Sequence, residues 1–161
     1  MGTDISGWVD IHTNVSDGWA ATIWVDDIAH RSYGMFASLF GVRNGGEGAT
    51  AVGRFRAIAP GRSMPDDASV FCWDEFVADQ GLHATWVLWS ELAAINWEEE
   101  GKSYLDEVSP DLVYVKSAPG RRHERRGDYL SGGWATLFKL MATLAEQFGA
   151  DNVRLTVWFD Q

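Results

Sequence analysis

The C-terminal residues 134–160 read WATLFKLMATLAEQFGADNVRLTVWFD and contain two elements in succession. The first part carries apolar side chains at helical spacing, namely Trp134, Leu137, Phe138, Met141, Leu144, Ala145 and Phe148. This spacing predicts an amphipathic helix that ends at Gly149. In residues 152–160, apolar side chains alternate with Arg154, Thr156 and Trp158. That alternation predicts a final strand with one buried face.

The rest of the chain supplies further strands and short helices. Residues 7–12 and 19–25 favour β structure and flank turn residues, which predicts an N-terminal antiparallel hairpin. Residues 83–89 are extended in character and 111–116 alternate weakly. Strands and helices do not alternate regularly, so the sequence predicts the α+β class with a largely antiparallel sheet. We expect residues 1–161 to form a single domain.

A short helical run, residues 31–44, combines core and polar features. Tyr33, Phe36 and Phe40 recur at helical spacing and predict a buried helix that ends at Gly41. Arg43 and Asn44 then begin a glycine-rich loop that lacks the Gly-Lys-Ser/Thr of a P-loop. A planar cation and an amide beside apolar residues could frame an anionic or nucleotide-like ligand.

A second loop leads into a helix in the middle of the chain. Asp66 follows Pro65, which predicts a helix start there, and Phe71, Phe76 and Val77 predict helical character until Gly81. Under the alternative interpretation, Asp66 and Ser69 are capping groups only. Asp26, Asp27 and His30 could hold a metal, since carboxylates and imidazole are suitable ligands. They lack the spacing of a strong metal motif, so a solvated turn with a helix cap at Asp27 is favoured.

The composition limits the kinds of partner. The chain has 23 acidic and 13 basic residues and a formal net charge of −10, which argues against binding to duplex DNA. Cys72 is the single cysteine, so a disulfide within the chain is excluded and a reducing, cytoplasmic location is expected. The sequence predicts neither a leader nor a membrane span. Nine Trp residues supply core, and a surplus could line a pocket or a homo-oligomer interface.

Two charged runs have open interpretations. Residues 97–102 include three consecutive Glu and predict an exposed acidic segment. Residues 121–126 include four Arg, which could form a lid that clamps phosphates or a solvated loop.

Several blocks along the chain resemble a family of small uncharacterised proteins that is frequent in bacteriophages. Members open Met-Gly-Cys-Asp-Ile-His and continue with Arg-Asn-Tyr, Gly-Val-Arg-Asn, Arg-Gly-Leu-Pro, His with Ser-Trp, and a final Trp-Phe-Asp. This chain has the matching blocks 1–6, 31–33, 41–44, 62–65, 83–86 and 158–160 in the same order. The early Cys and His of the family are Thr3 and Ser6 here, so a metal or acid–base role of that His would be lost. The resemblance implies a phage-type protein with a shared polar site, acting in the host cytoplasm.

These features favour a binding protein that sequesters a nucleotide-derived small molecule, such as a host immune signal, without a cofactor or metal. The predicted ligand-binding residues are Arg43, Asn44, Arg62, Asp66, His83 and Trp86. The first alternative is a metal-dependent phosphodiesterase with His83 as acid–base and Asp4, Asp26 or Asp66 as metal-binding carboxylates. The second alternative is an acidic inhibitor of a basic protein partner.

Overall fold

The structure is a computed structural model that describes residues 2–15, 18–44, 55–101 and 124–160. Its strands are β1 (Ile5–His12), β2 (Trp19–Trp24), β3 (Leu82–Leu88) and β4 (Val153–Phe159). Its helices are α1 (Tyr33–Met35), α2 (Val70–Ala78), α3 (Trp89–Ala93) and α4 (Gly132–Phe148). Within the described ranges, no helix has the length and apolar character needed to cross a bilayer.

The strands form one antiparallel sheet in the order β2-β1-β4-β3. This arrangement confirms the α+β class, the N-terminal hairpin, the C-terminal helix and the final strand. The strand predicted at 111–116 lies outside the described residues.

Contacts within the chain group its residues into two compact units. The first comprises Met1–Arg31, Gly61–Ile95 and Ser131–Gln161, and the second comprises Ser32–Pro60 and Asn96–Leu130. The first unit contains the sheet, α2, α3 and α4, whereas the second contains α1. The prediction of a single domain over 1–161 stays a prediction.

Every residue of β4 is buried, on both faces of the sheet, so the prediction of a single buried face was wrong. We call the side of Val153, Leu155 and Val157 the apolar face. The side of Arg154 and Trp158 is the mixed face, since successive side chains point to opposite sides. α2 covers part of the mixed face, where the rings of Phe76 and Trp158 lie 5.7 Å apart.

α4 supplies the cover for the apolar face. It contacts β1 and β4, and Trp134, Leu137, Phe138 and Met141 are buried. Since α2 occupies the mixed face, we assign α4 to the apolar one. The helix ends at Gly149, whose φ of 96° is a conformation that favours glycine, as the sequence predicted.

α2 begins later than the sequence predicted. The Ser69 hydroxyl accepts the backbone N–H of Cys72 at 3.1 Å and is the N-cap. Asp66 lies before the helix, in a turn in which the Ala68 N–H donates to the Pro65 carbonyl at 3.0 Å. The predicted start at Asp66 was therefore wrong, because this turn separates Pro65 from the helix.

The second unit contains the buried helical run predicted at 33–40. α1 begins after Ser32 and continues as a π-helical turn over Phe36–Phe40, all of whose residues are buried. Gly41 ends it with a φ of 74°, as predicted.

Candidate functional site

An open cleft of about 480 Å³ lies in the first unit, beside α2 and the start of β3. It is lined by Gly61, Ser63, Met64, Asp66, Trp73, Phe76, His83 and Ala84. The lining combines aromatic rings with a carboxylate, an imidazole and a hydroxyl. Concave sites of this size, with a few convergent polar groups on an apolar wall, are typical of small-molecule sites.

The cleft brings together two of the predicted site residues, Asp66 and His83. His83 has a φ of 52° and sits where the β3–β4 register shifts between Leu82 and Thr85. Left-handed backbone is uncommon for residues other than glycine, and β-bulges occur often beside active sites. Ser63 on the same cleft has a φ of 65°. Two unusual backbone conformations therefore present side chains to one cavity, a feature of functional sites.

The aromatic wall of the cleft, formed by Trp73 and Phe76, packs against a buried tryptophan. The ring of Phe76 lies 5.9 Å from that of Trp73 and 5.7 Å from that of Trp158. Trp158 is buried, and its indole N–H donates to Asp79 at 2.9 Å. Trp73 keeps 36% of its surface exposed. The wall thus offers a supported aromatic surface on which a planar ligand could stack.

Arg62 and Trp86 were predicted to contact the ligand. In the structure, Arg62 contacts both the Trp86 ring and the Glu91 carboxylate. Arg62 binds the Glu91 carboxylate through two nitrogens, at 2.9 and 2.6 Å, and its Cζ lies 5.0 Å from the Trp86 ring centroid. The hydrogen bond from Arg62 holds the pKa of Glu91 below its ordinary value, despite partial burial. A phosphate at Arg62 would have to compete with this bidentate partner.

Arg43 and Asn44 belong to the second unit. The Asn44 amide donates to the Phe55 carbonyl at 2.7 Å and accepts the Phe55 N–H at 2.9 Å. Arg43 is exposed and its Cζ lies 5.6 Å from the ring centroid of Tyr33. The Asn44 amide was predicted to form hydrogen bonds with a base. In the structure it forms hydrogen bonds with the backbone of Phe55 instead.

The sequence did not indicate the most buried ionic cluster, which lies on the mixed face. Arg154 and Asp10 face each other across β4 and β1 and are 3% and 0% exposed. Arg154 also donates to Asp67 at 2.6 Å, and its Cζ lies 4.0 Å from the Trp19 ring centroid. Trp86 flanks it at 6.0 Å. The sequence feature that could have revealed this cluster is the presence of one charged residue in each of two central strands. The period-2 pattern instead predicted that both side chains face solvent.

The cluster is tightly buried but incompletely hydrogen-bonded among the described residues. The Thr156 hydroxyl donates to Asp10 Oδ2 at 2.7 Å, whereas Asp10 Oδ1 and Arg154 Nη2 have no partner there. Burial raises the pKa of Asp10, although Thr156 and Arg154 oppose this.

The arginine-rich run has a structural role at its end. Arg126 is fully buried, binds Glu99 at 2.9 Å and donates to the carbonyls of Ser38 and Arg56. Arg125 binds Glu98 at 2.6 Å, so the predicted acidic segment pairs with these arginines. Residues 121–123 lie outside the described residues.

The carboxylates of the phosphodiesterase alternative have protein partners. Asp4 binds Arg31 through two oxygens, at 2.7 and 2.6 Å, and Asp26 accepts from the Ser6 hydroxyl at 2.8 Å. In the part of the chain that the structure describes, no group of three His, Cys, Asp or Glu could hold a metal.

No protein-family model, no curated protein and no solved structure matches this chain. The family resemblance in the sequence therefore stays a prediction. The matching blocks include Arg31, Asn44 and Arg62, and each of these side chains makes hydrogen bonds to another segment of the chain.

Proposed function

We propose that this chain binds and holds a nucleotide-derived small molecule in the cleft of the first unit. The observation that carries the proposal is the convergence of Trp73 and Phe76 with Asp66 and His83 on one open cavity. Base stacking on an aromatic ring contributes about 1–3 kcal/mol and tolerates any base. An aromatic wall with polar groups at its rim therefore suits a nucleoside better than an aliphatic ligand.

The chemistry of the lining assigns a part of the ligand to each group. The base stacks on Trp73, the ribose hydroxyls donate to the Asp66 carboxylate, and His83 contacts the remaining polar edge. The described lining contains no Lys or Arg. The nucleoside part therefore supplies most of the affinity, and phosphates point out of the cleft. Capture of a phage-host immune signal would be one use of such a site, in line with the family resemblance.

Hydrolysis is the second candidate function, favoured by the presence of Ser63, Asp66 and His83 on the same cleft. A hydroxyl, a carboxylate and an imidazole are the groups that nucleophilic or acid–base catalysis uses. The left-handed backbone of Ser63 and His83 is consistent with positions held for chemistry. Sequestration and hydrolysis differ in the fate of the bound compound.

The test is to incubate the purified protein with cyclic dinucleotides, ADP-ribose derivatives and nucleosides, with Mg²⁺ and with chelator. The protein is then separated, denatured and the released compounds are analysed. An intact compound supports sequestration and a cleaved one supports hydrolysis. Capture of none of these compounds would contradict the proposal.

A matched pair of variants locates the site. Trp73→Ala removes the stacking surface and should weaken binding of the captured compound by about tenfold or more. Val77→Ala is the control, because Val77 lies on the same helix, is 66% exposed and does not line the cleft. Equal loss in both variants would place the effect on α2 stability instead of the site.

A further inference from the structure

The outer side of α2 exposes a row of large apolar side chains. Val70, Trp73 and Val77 recur at i, i+3 and i+7, which places them on one side of the helix. They are 77%, 36% and 66% exposed. Phe71, whose ring lies 5.2 Å from that of Trp8, and Leu82 on β3 are 54% and 47% exposed. We call Val70, Trp73 and Val77 the α2 stripe. Elsewhere in the described residues, the exposed large hydrophobics are only Val15 and Leu140.

The stripe belongs to a firmly packed helix. On the opposite side of α2, Cys72 is fully buried with Trp158 and Met64, and Phe76 packs against the same cluster. Ser69 caps the first turn. α2 therefore has one side that meets the sheet and one apolar side that faces solvent. Contiguous exposed apolar surface on a well-packed element is typical of an interaction site.

The charge around the stripe selects the partner. From Asp66 to Leu82 the chain contains five carboxylates and no Lys or Arg, and one of the five, Asp67, is paired with Arg154. Asp74 is exposed on α2 between the stripe residues Trp73 and Val77. A second copy of this chain would bring the same acidic rim against the first, and like charges across an interface cost affinity. A segment that is apolar on one side and basic at its rim complements both features.

We propose that the α2 stripe docks an amphipathic, basic helix of a partner protein. The apolar side of that helix covers Val70, Trp73 and Val77, and its Lys or Arg side chains meet the carboxylates at the rim. An amphipathic helix laid on an apolar surface is a recurrent mode of recognition. The docked helix and the ligand proposed for the cleft would share Trp73, whereas Val70 and Val77 do not line that cleft, so variants at these two valines test the docking surface alone.

The test uses synthetic helical peptides of about 18 residues, roughly five turns. A Leu/Lys amphipathic peptide is the probe, and Leu/Glu and Lys/Ser peptides of equal length are the controls. The full chain should bind the Leu/Lys peptide, and neither control should compete. Equal binding of the Lys/Ser peptide would overturn the proposal, because charge alone would then explain the affinity.

A double variant tests the surface itself. Val70→Ser with Val77→Ser should weaken Leu/Lys peptide binding by about tenfold, since two exposed apolar anchors are lost. Val15→Ser, at a valine that is 95% exposed on the β1–β2 connection, should leave binding unchanged. Unchanged binding in the double variant would overturn the proposal. So would a native dimer in sedimentation that this variant dissociates, because a second copy would then be the occupant.

Discussion

The two faces of the sheet in the first unit use the same strands but different chemistry. On β4, Val153, Leu155 and Val157 supply the apolar face, which needs only close packing to be stable. The mixed face places Arg154 and Asp10 beside tryptophan rings and under a loop that carries Asp67. Charges buried there require partners, because an isolated buried charge is strongly destabilising.

This difference explains where a binding site can form. The side chains of Val153, Leu155 and Val157 on the apolar face offer no polar group to orient a ligand. The mixed face instead carries aromatic rings and polar groups, and the cleft with Asp66 and His83 is walled by Phe76, which packs on this face through Trp158. We infer that the apolar face mainly stabilises the unit and the mixed face mainly supports function.

The largest expected effect tests the need for ionic partners on the mixed face. Arg154→Leu makes this face more like the apolar one but leaves Asp10 buried without its cation. We expect a loss of about 4 kcal/mol in the free energy of unfolding, the usual cost of breaking a buried pair. Urea denaturation followed by tryptophan fluorescence measures it.

The double variant Asp10→Leu/Arg154→Leu sharpens this comparison. It removes both charges, so much of the lost stability should return, as in other buried pairs replaced by apolar residues. The contrary result is a double variant no more stable than the single one. Packing around Arg154 against Trp19, and not the ionic pairing, would then explain the loss.

A smaller, pH-dependent effect is expected at Glu91, at the edge of the mixed face. Arg62 holds the Glu91 pKa below its ordinary value of 4.5. A lowered folded-state pKa contributes stability above the ordinary value, and this contribution disappears as the pH falls through the folded-state pKa. Glu91→Gln should therefore cost about 1 kcal/mol near neutral pH, allowing for solvent exposure, and less at about pH 3, which lies below the ordinary pKa of the carboxyl.

Unfolding curves at the two pH values check this prediction, with Glu98→Gln as the matched control. Glu98 also binds an arginine, but 76% of its side chain is exposed. Exposed pairs contribute little, so the control should change stability only slightly at either pH. A Glu91→Gln cost that is the same at both pH values would mean that shape, not charge, matters at this position.

Much of the fold could be predicted because local patterns and tertiary packing agree. The stripe of α4, the stop at Gly149 and the buried run that ends at Gly41 are each set by residues within a few positions. Burial of both faces of β4 could not be predicted in this way. It depends on α2, which lies far away in sequence, and on Asp10 pairing with Arg154.

The candidate site was harder to predict than the fold. Asp66 and His83 are predicted from the sequence and line one cleft, whereas the sequence predicts only a helix at Phe76 and gives no role to Trp73. The charge of Arg62 suits phosphate, but the sequence around Arg62 does not indicate that Glu91 is its partner. A single sequence shows residue types, whereas the pairing of charges is decided by the packed structure.

The most direct test of the central claim uses the tryptophan indoles as reporters of both faces. Two-dimensional ¹⁵N–¹H NMR of the indole groups would be recorded while the captured compound is added. The proposal predicts that the Trp73 signal shifts at stoichiometric ligand, whereas the signal of Trp134, which is buried on α4, does not. A shift of Trp134 with an unchanged Trp73 would contradict the assignment of the site to the cleft beside α2.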